Sequence, residues 1–161
     1  MKNKSKMITL GIIIFVLVLM SILYFTGDQK IAVAPVATID TQMPPYEGKE
    51  QLLGNKDDLI SFSISPNVKV HGILSYRGEI QGGYFFEGNI LINILDSNKK
   101  VLLASNAVAK SDWMTKGPVK FEGNINFSDL AKGPAYFEIK NDNPSGLLEH
   151  DKSILIPIVI Q

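Results

Sequence analysis

From Asp58 to the end of the chain, apolar and polar residues alternate with a period of two. Successive side chains of a strand point to opposite faces, so the pattern predicts strands with one side buried. Ile60, Phe62 and Ile64 alternate with Ser61, Ser63 and Ser65. Pro66-Asn67 then turns the chain into a run with Val68, Val70, Gly72, Leu74 and Tyr76 on one face and Lys69 and His71 on the other. Gly82-Gly83 opens the next run, where Tyr84, Phe86, Ile90, Ile92 and Ile94 share a face and Phe85 lies opposite. Asp96-Ser97-Asn98-Lys99 supplies hairpin chemistry leading into 101–109. Val119, Phe121, Gly123, Ile125 and Phe127 face inward while Lys120, Glu122, Asn124 and Asn126 face out. Ala135, Phe137 and Ile139 repeat the pattern, and Ile154, Ile156, Ile158 and Ile160 close it. Pro157 has no N–H for a ladder, which predicts that the last strand lies at an edge or carries a bulge.

About seven short strands separated by turns, with no useful helix-period segment among them, predict an all-β domain. An antiparallel β-sandwich of immunoglobulin type fits best, and a small barrel is the alternative because the Cys-Trp-Cys signature is missing.

The N-terminal part follows another pattern. Met7 to Phe25 carries no charge and is long enough as a helix to cross bilayer hydrocarbon, about 30 Å thick. Lys2, Lys4 and Lys6 precede it, so the positive-inside rule keeps 1–6 in the cytoplasm and places the rest outside a cell membrane, with 7–25 as a single-pass signal-anchor. Cleavage as a signal peptide is the competing reading. It needs a shorter apolar core, and the small-residue pattern at Ala32 to Ala34 lies far beyond the run and is followed by Pro35. A lipoprotein anchor is excluded, since the chain has no cysteine, as are disulfides and thiolate metal sites. Residues 26–57, interrupted by Pro35, Pro44 and Pro45, read as a flexible linker with a reach of about 30 Å. A short strand or docking motif at Ile31 to Val36 is the alternative there. The domain is then 58–161.

Charge narrows the partners. The 161 residues hold 16 basic and 16 acidic side chains, and from Asp58 onward there are 10 basic against 11 acidic. No basic stripe exists for nucleic acid; the partners expected are the membrane, through the N-terminal helix, and an envelope protein or cell-wall polymer.

Candidate chemistry is sparse. Ser145, His150 and Asp142 share one loop and have the residue types of a hydrolytic triad, but no Gly-x-Ser-x-Gly turn presents the serine, and Asn143-Pro144-Ser145-Gly146 is explained as a turn. Asp142, Glu149 and Asp151 have the oxygen chemistry for calcium without EF-hand spacing, so a solvated acidic loop is expected and no cofactor is called for. His71 has no ligand-spaced companion and is expected to be exposed. Trp113 is either an exposed anchor for a partner or glycan, or a plug folded back on the core with Asp112 holding a turn. Asn126-Phe127-Ser128 matches a glycosylation sequon inside a predicted strand.

The pieces GYFFEGNILINILDSNKKVLL, SDWMTKGPVKFEGNINF and NDNPSGLLEHDKSILIPIVI occur in that order. Together, over about Leu59 to Ile160, they resemble the immunoglobulin-like domain of bacterial spore-germination and related cell-envelope proteins. The most specific parts are Phe85-Phe86-Glu87, Asp112-Trp113-Met114, Phe121-Glu122 and Asp142-Asn143-Pro144-Ser145-Gly146 with the acidic loop and Ile-Pro-Ile strand that follow. The resemblance implies an immunoglobulin-like fold, a role at the envelope linked to germination or sporulation, and a structural part for the Trp113 triplet. It carries over no catalytic residue. The expectation is a non-enzymatic tethered module whose binding residues include Trp113, Phe85, Asp142, Glu149 and Asp151. An accessory or inhibitor domain acting on an envelope hydrolase or protease is the alternative.

Overall fold

The computed structural model describes residues 46–161, which fall in the unit Thr41–Gln161. The proposed anchor at 7–25, the cytoplasmic 1–6 and most of the linker lie outside the described residues. Among the described residues no helix is long and apolar enough to cross a membrane. These residues form nine strands: β1 (Leu53–Gly54), β2 (Leu59–Phe62), β3 (Val68–Val70), β4 (Ile73–Ile80), β5 (Asn89–Asp96), β6 (Val101–Ala109), β7 (Val119–Asn126), β8 (Gly133–Lys140) and β9 (Ser153–Ile160).

The strands join in one hydrogen-bonded path, β1-β9-β8-β5-β6-β7-β4-β2, and the sheet curls into a half-barrel. All pairs are antiparallel except β3, which runs parallel to β9. The curl turns on β6. It pairs with β5 from Val101 to Val108 but meets β7 only at Val108↔Glu122 and Ala109↔Phe121. The two halves joined there face each other across a common core. Phe137 of β8 packs against Phe62 of β2 at 5.3 Å between ring centroids and against Tyr76 of β4 at 5.0 Å. Phe62 also meets Phe121 of β7 at 5.9 Å. Such stacked, tilted and edge-on aromatic pairs add about 0.5–1.5 kcal/mol each beyond the area they bury. Around them Ile90, Ile92, Ile94, Ile139, Ile154 and Ile156 have no exposed surface, each contributing roughly 1.5–3 kcal/mol.

The alternation read for β7 stands: Val119, Phe121 and Ile125 are buried while Lys120, Glu122, Asn124 and Asn126 are exposed. The 96–99 hairpin stands too. The Asp96 carboxylate accepts from the Asn98 and Lys100 amides at 2.8 and 2.9 Å, and Lys99 takes a positive φ of 66°.

Elsewhere the structure corrects the pattern. The expected strand 68–76 breaks at Gly72, whose φ is 59°. Its first part pairs with β9 and its second begins β4 at the other side of the path, so two pairing partners compete for one alternating run and the glycine lets the chain serve both. The run 84–94 is not one strand either. Glu87 and Gly88 have φ of 49° and 76°, and Phe86 and Asn89 exchange backbone bonds of 3.0 and 2.9 Å, a turn of type I′ geometry. Tyr84 and Phe85 are consequently both buried, while Phe86 is exposed.

The linker also ends earlier than 57. Tyr46 is buried; its N–H donates to the Ile60 carbonyl and its hydroxyl to the Ile64 carbonyl, both at 2.9 Å. Leu52 is buried, and β1 pairs Leu53 with Leu155. Tyr46 is isolated behind two prolines and Leu52-Leu53 is a lone adjacent pair, so neither period reveals them.

Pro157 lies neither at an open edge nor in a bulge: β9 pairs with β8 in unbroken register and carries β1 and β3 on its other side. Its carbonyl accepts from the Asn67 amide at 2.7 Å, on the β3 side. A strand residue's N–H and C=O point the same way, so the missing donor falls in the gap between β1 and β3 and the β8 ladder loses nothing.

Candidate functional site

The ladder register places three connections at one end of the domain. Ile80 pairs with Val119, Asn89 with Val108 and Lys140 with Ser153, so the β4–β5 (81–88), β6–β7 (110–118) and β8–β9 (141–152) connections leave the sheet together. The first lies between the others. A β-carbon at Gly82 would collide with the Thr115 carbonyl, and one at Gly88 would stand 3.6 Å from the Trp113 indole nitrogen. On the other side the Asp142 amide donates to the Tyr84 carbonyl at 3.0 Å. Close backbone approach explains Gly82; no larger residue fits.

Tyr84 anchors this end. Its hydroxyl donates to Asp58 at 2.9 Å, the Lys152 ammonium lies 3.5 Å from the same carboxylate, and that ammonium stands 5.4 Å from the centre of the Tyr84 ring. Burial pushes the Tyr84 hydroxyl far above its ordinary value, and the hydrogen bond and charge of Asp58 push it further, so it stays a neutral donor.

The 141–152 loop is held by its own side chains. Buried Asn141 donates to the His150 carbonyl at 2.9 Å and accepts from the Lys152 amide at 2.7 Å. Asn143 donates to the Leu147 carbonyl and to the Asp151 carboxylate, each at 2.8 Å. Asp151 also pairs with Lys140 at 3.2 Å, and these contacts, Asn143 first, hold its carboxyl below the usual range. The Ser145 hydroxyl donates to Asn143, accepts from the Leu147 amide at 3.3 Å, and lies 3.3 Å from His150 Nδ1. Among the described residues no hydrogen bond joins Asp142 to His150, and no three His, Asp or Glu side chains stand together as a metal set.

Between this loop and the β4–β5 connection lies a cleft of about 510 Å³. Of the residues singled out in the sequence, Phe85, Asp142 and Glu149 line it. Asp151 and Trp113 do not: Asp151 is committed to Asn143 and Lys140, and Trp113 is half-buried, packed against the core. Asp112 accepts from the Met114 amide at 3.1 Å, the turn expected for that triplet. Phe85 contributes a largely buried wall, and the exposed aromatic is its neighbour Phe86. Lys152 is paired with Asp58, whereas Asp142 and Glu149 have no ion-pair partner among the described residues. His71 is exposed.

Alternation could not find the other prominent side chains here, because it says nothing about connections. Met114 is 78% exposed, Leu148 83% and Leu147 48%; with Phe86 they give this end four outward apolar groups from three loops. No family model matches the chain, and no curated protein or solved structure is significantly similar to it.

Proposed function

We propose that the chain is a non-enzymatic, membrane-tethered extracytoplasmic module of immunoglobulin-like fold at the bacterial envelope, and that it binds a partner protein through the three-loop end. The strand path supports the fold: the first strands divide between the two halves, β3 lies parallel beside the last strand, and β6 links one half to the other. The anchor rests on the uncharged run at 7–25 and the lysines before it, and a germination or sporulation setting rests on the sequence resemblance alone.

The observation that carries the binding reading is the exposure of Phe86, Met114, Leu147 and Leu148 on the three connections at this end, which also holds a cleft whose Asp142 and Glu149 have no ion-pair partner among the described residues. Apolar anchors beside hydrogen-bonding groups suit a protein surface better than a wall glycan, and Asp142 and Glu149 favour a basic group in that surface. The exposed Leu147-Leu148 tip on a hydrogen-bonded loop also favours, as a second reading, an accessory or inhibitor domain that fills the cleft of an envelope hydrolase or protease.

Photo-crosslinking in intact cells tests this. A crosslinker at Leu148 in the full chain should trap a discrete product that Met114→Asp abolishes, while one at Lys132, at the opposite end, should not. Equal trapping at both positions, or none at Leu148, overturns the assignment. If the trapped protein is a hydrolase or protease, its activity with and without the chain decides between the two readings.

A further inference from the structure

The two outer faces of the sheet differ in chemistry. On the half that contains β4 and β7, the side chains pointing away from the core are Ser75, Arg77 and Glu79 and, across the ladder, Asn124, Glu122 and Lys120, a polar and charged surface. On the half that contains β9, β8 and β5, even-numbered positions of β9 and β5 and odd-numbered ones of β8 enter the core. Strand alternation therefore turns Leu155, Pro157, Val159, Tyr136 and Leu95 outward. The ladder sets Pro157, Tyr136 and Leu95 in one row that ends at Val101, with Val159 beside Pro134 in the next. Leu95 and Leu155 are buried yet stand apart from the core cluster, so this outer face has an apolar layer of its own.

The strand sequences point the same way. β5, NILINILD, and β9, SILIPIVI, are almost continuous apolar runs, the pattern of strands covered on both faces, whereas β7 alternates. Every described strand belongs to the sheet itself, so none lies over this face. The surrounding charges select what does. Lys69 stands beside Val159, Lys132 precedes Pro134, and Lys99 and Lys100 precede Val101; all four are exposed, with no ion-pair partner among the described residues. Of the nearby acids, Glu138 lies one row toward the three-loop end and accepts from Asn93 at 2.7 Å. Asp96 is turned onto the Asn98 and Lys100 amides, and Asp129 stands nearer β7 than Lys132 does.

We propose that this apolar row and its lysines rest on an anionic phospholipid surface. Pro157, Tyr136 and Val101 meet the boundary between headgroups and acyl chains, and the lysines lie among the phosphates. A soluble polyanion would meet the lysines but not the apolar row, which needs hydrocarbon beside a layer of negative charge. Tethering at 7–25, on which this depends, keeps the bilayer close: only residues 26–45 separate that run from Tyr46, at most about 70 Å of extended chain. The three-loop end, at the opposite end of the strands from these lysines, then stays clear of the bilayer and open to its partner.

The chain has no cysteine, so a single introduced one can be labelled. The full chain, carrying a fluorophore at Val101→Cys or, on the polar face, at Asn124→Cys, is reconstituted into phosphatidylcholine vesicles with or without phosphatidylglycerol. A phospholipid with a nitroxide on its headgroup is the quencher. With phosphatidylglycerol present, quenching should be several-fold stronger at 101 than at 124. High salt, omission of phosphatidylglycerol, or Lys100→Glu combined with Lys132→Glu should each bring the two positions together, the last with an unchanged circular dichroism spectrum. Equal quenching at 101 and 124 in chains that float with the vesicles overturns this proposal alone, as does a contrast that survives high salt and charge reversal. A contrast seen only at high protein-to-lipid ratio assigns the face to a second copy and likewise overturns it. A chain that does not float with the vesicles overturns the anchor and this proposal together.

Discussion

Tyr76 of β4 lies directly across the ladder from Gly123 of β7, and its ring end fills the space where a β-carbon at 123 would stand. The relation repeats two positions on with the roles exchanged: Phe121 of β7 faces Gly78 of β4, where an added β-carbon would come within 2.6 Å of Phe121 and 2.7 Å of Phe62. Each aromatic thus lies down over the glycine of the neighbouring strand and brings the rings of the core together.

Gly78→Ala and Gly123→Ala are accordingly expected to destabilise the domain by about 1–3 kcal/mol each, by forcing rings out of place. Urea denaturation measures this. Changes below about 0.5 kcal/mol would mean that the rings relocate freely.

Alkali should unfold the domain through its tyrosines. Burial pushes Tyr46 up to about 12 and Tyr76 and Tyr84 higher still, from an ordinary 10.0. The native state holds these protons while the unfolded chain releases them, so this stability is complete below about pH 10 and is lost as pH rises beyond it. Among the described residues the buried Tyr76 hydroxyl has no hydrogen-bond partner, so Tyr76→Phe should be neutral or stabilising by up to about 1 kcal/mol at pH 7 and should flatten the alkaline decline. A loss above about 1 kcal/mol at pH 7 would show that the hydroxyl has a partner.

A fragment beginning at Asp58 should be less stable than one beginning at Thr41. It lacks the buried Tyr46 and Leu52 and the β1 pairing, a deficit of roughly 2–5 kcal/mol. Thermal melts of the two fragments decide it, and equal melting temperatures would return 46–57 to the linker.

The acid limb of stability should report on Asp151. Its carboxyl is held low by Asn143 and Lys140, so the native state takes up a proton less readily than the unfolded chain. The contribution is present above the unfolded value, near 3.8, and is lost as pH falls through the lower native one. Asp151→Asn should make the decline of stability below about pH 4 shallower. Denaturant midpoints across that range are the measurement, and an unchanged slope would mean that these contacts do not persist in solution.

Sequence legibility followed the sheet. β7 could be read residue by residue because one face is wet and the other dry, and the 96–99 hairpin because Asp96 is a natural acceptor for following amides. Where one alternating run serves two partners, as around Gly72, periodicity reads one strand instead of two. Where a turn takes an unexpected residue, as Glu87 does, it reads a strand through the turn and reverses Phe85 and Phe86. The cleft was legible only as isolated acids and aromatics in one loop and its neighbour. Their convergence depends on Gly82 and on the Tyr84–Asp142 backbone bond, which no local pattern announces.

The parallel strip Val68↔Ile158, Lys69↔Val159 and Val70↔Ile160 has a mechanical meaning. Tension between residue 46 and Gln161 first loads the Tyr46 bonds to Ile60 and Ile64 and then β1, where the antiparallel bonds are loaded one after another, so β1 peels like a zip. At β3 the strands run side by side and the pull lies along them, so all three pairs bear the load together and must slide at once. A pull between those two points would give a little slack at low force and then lock.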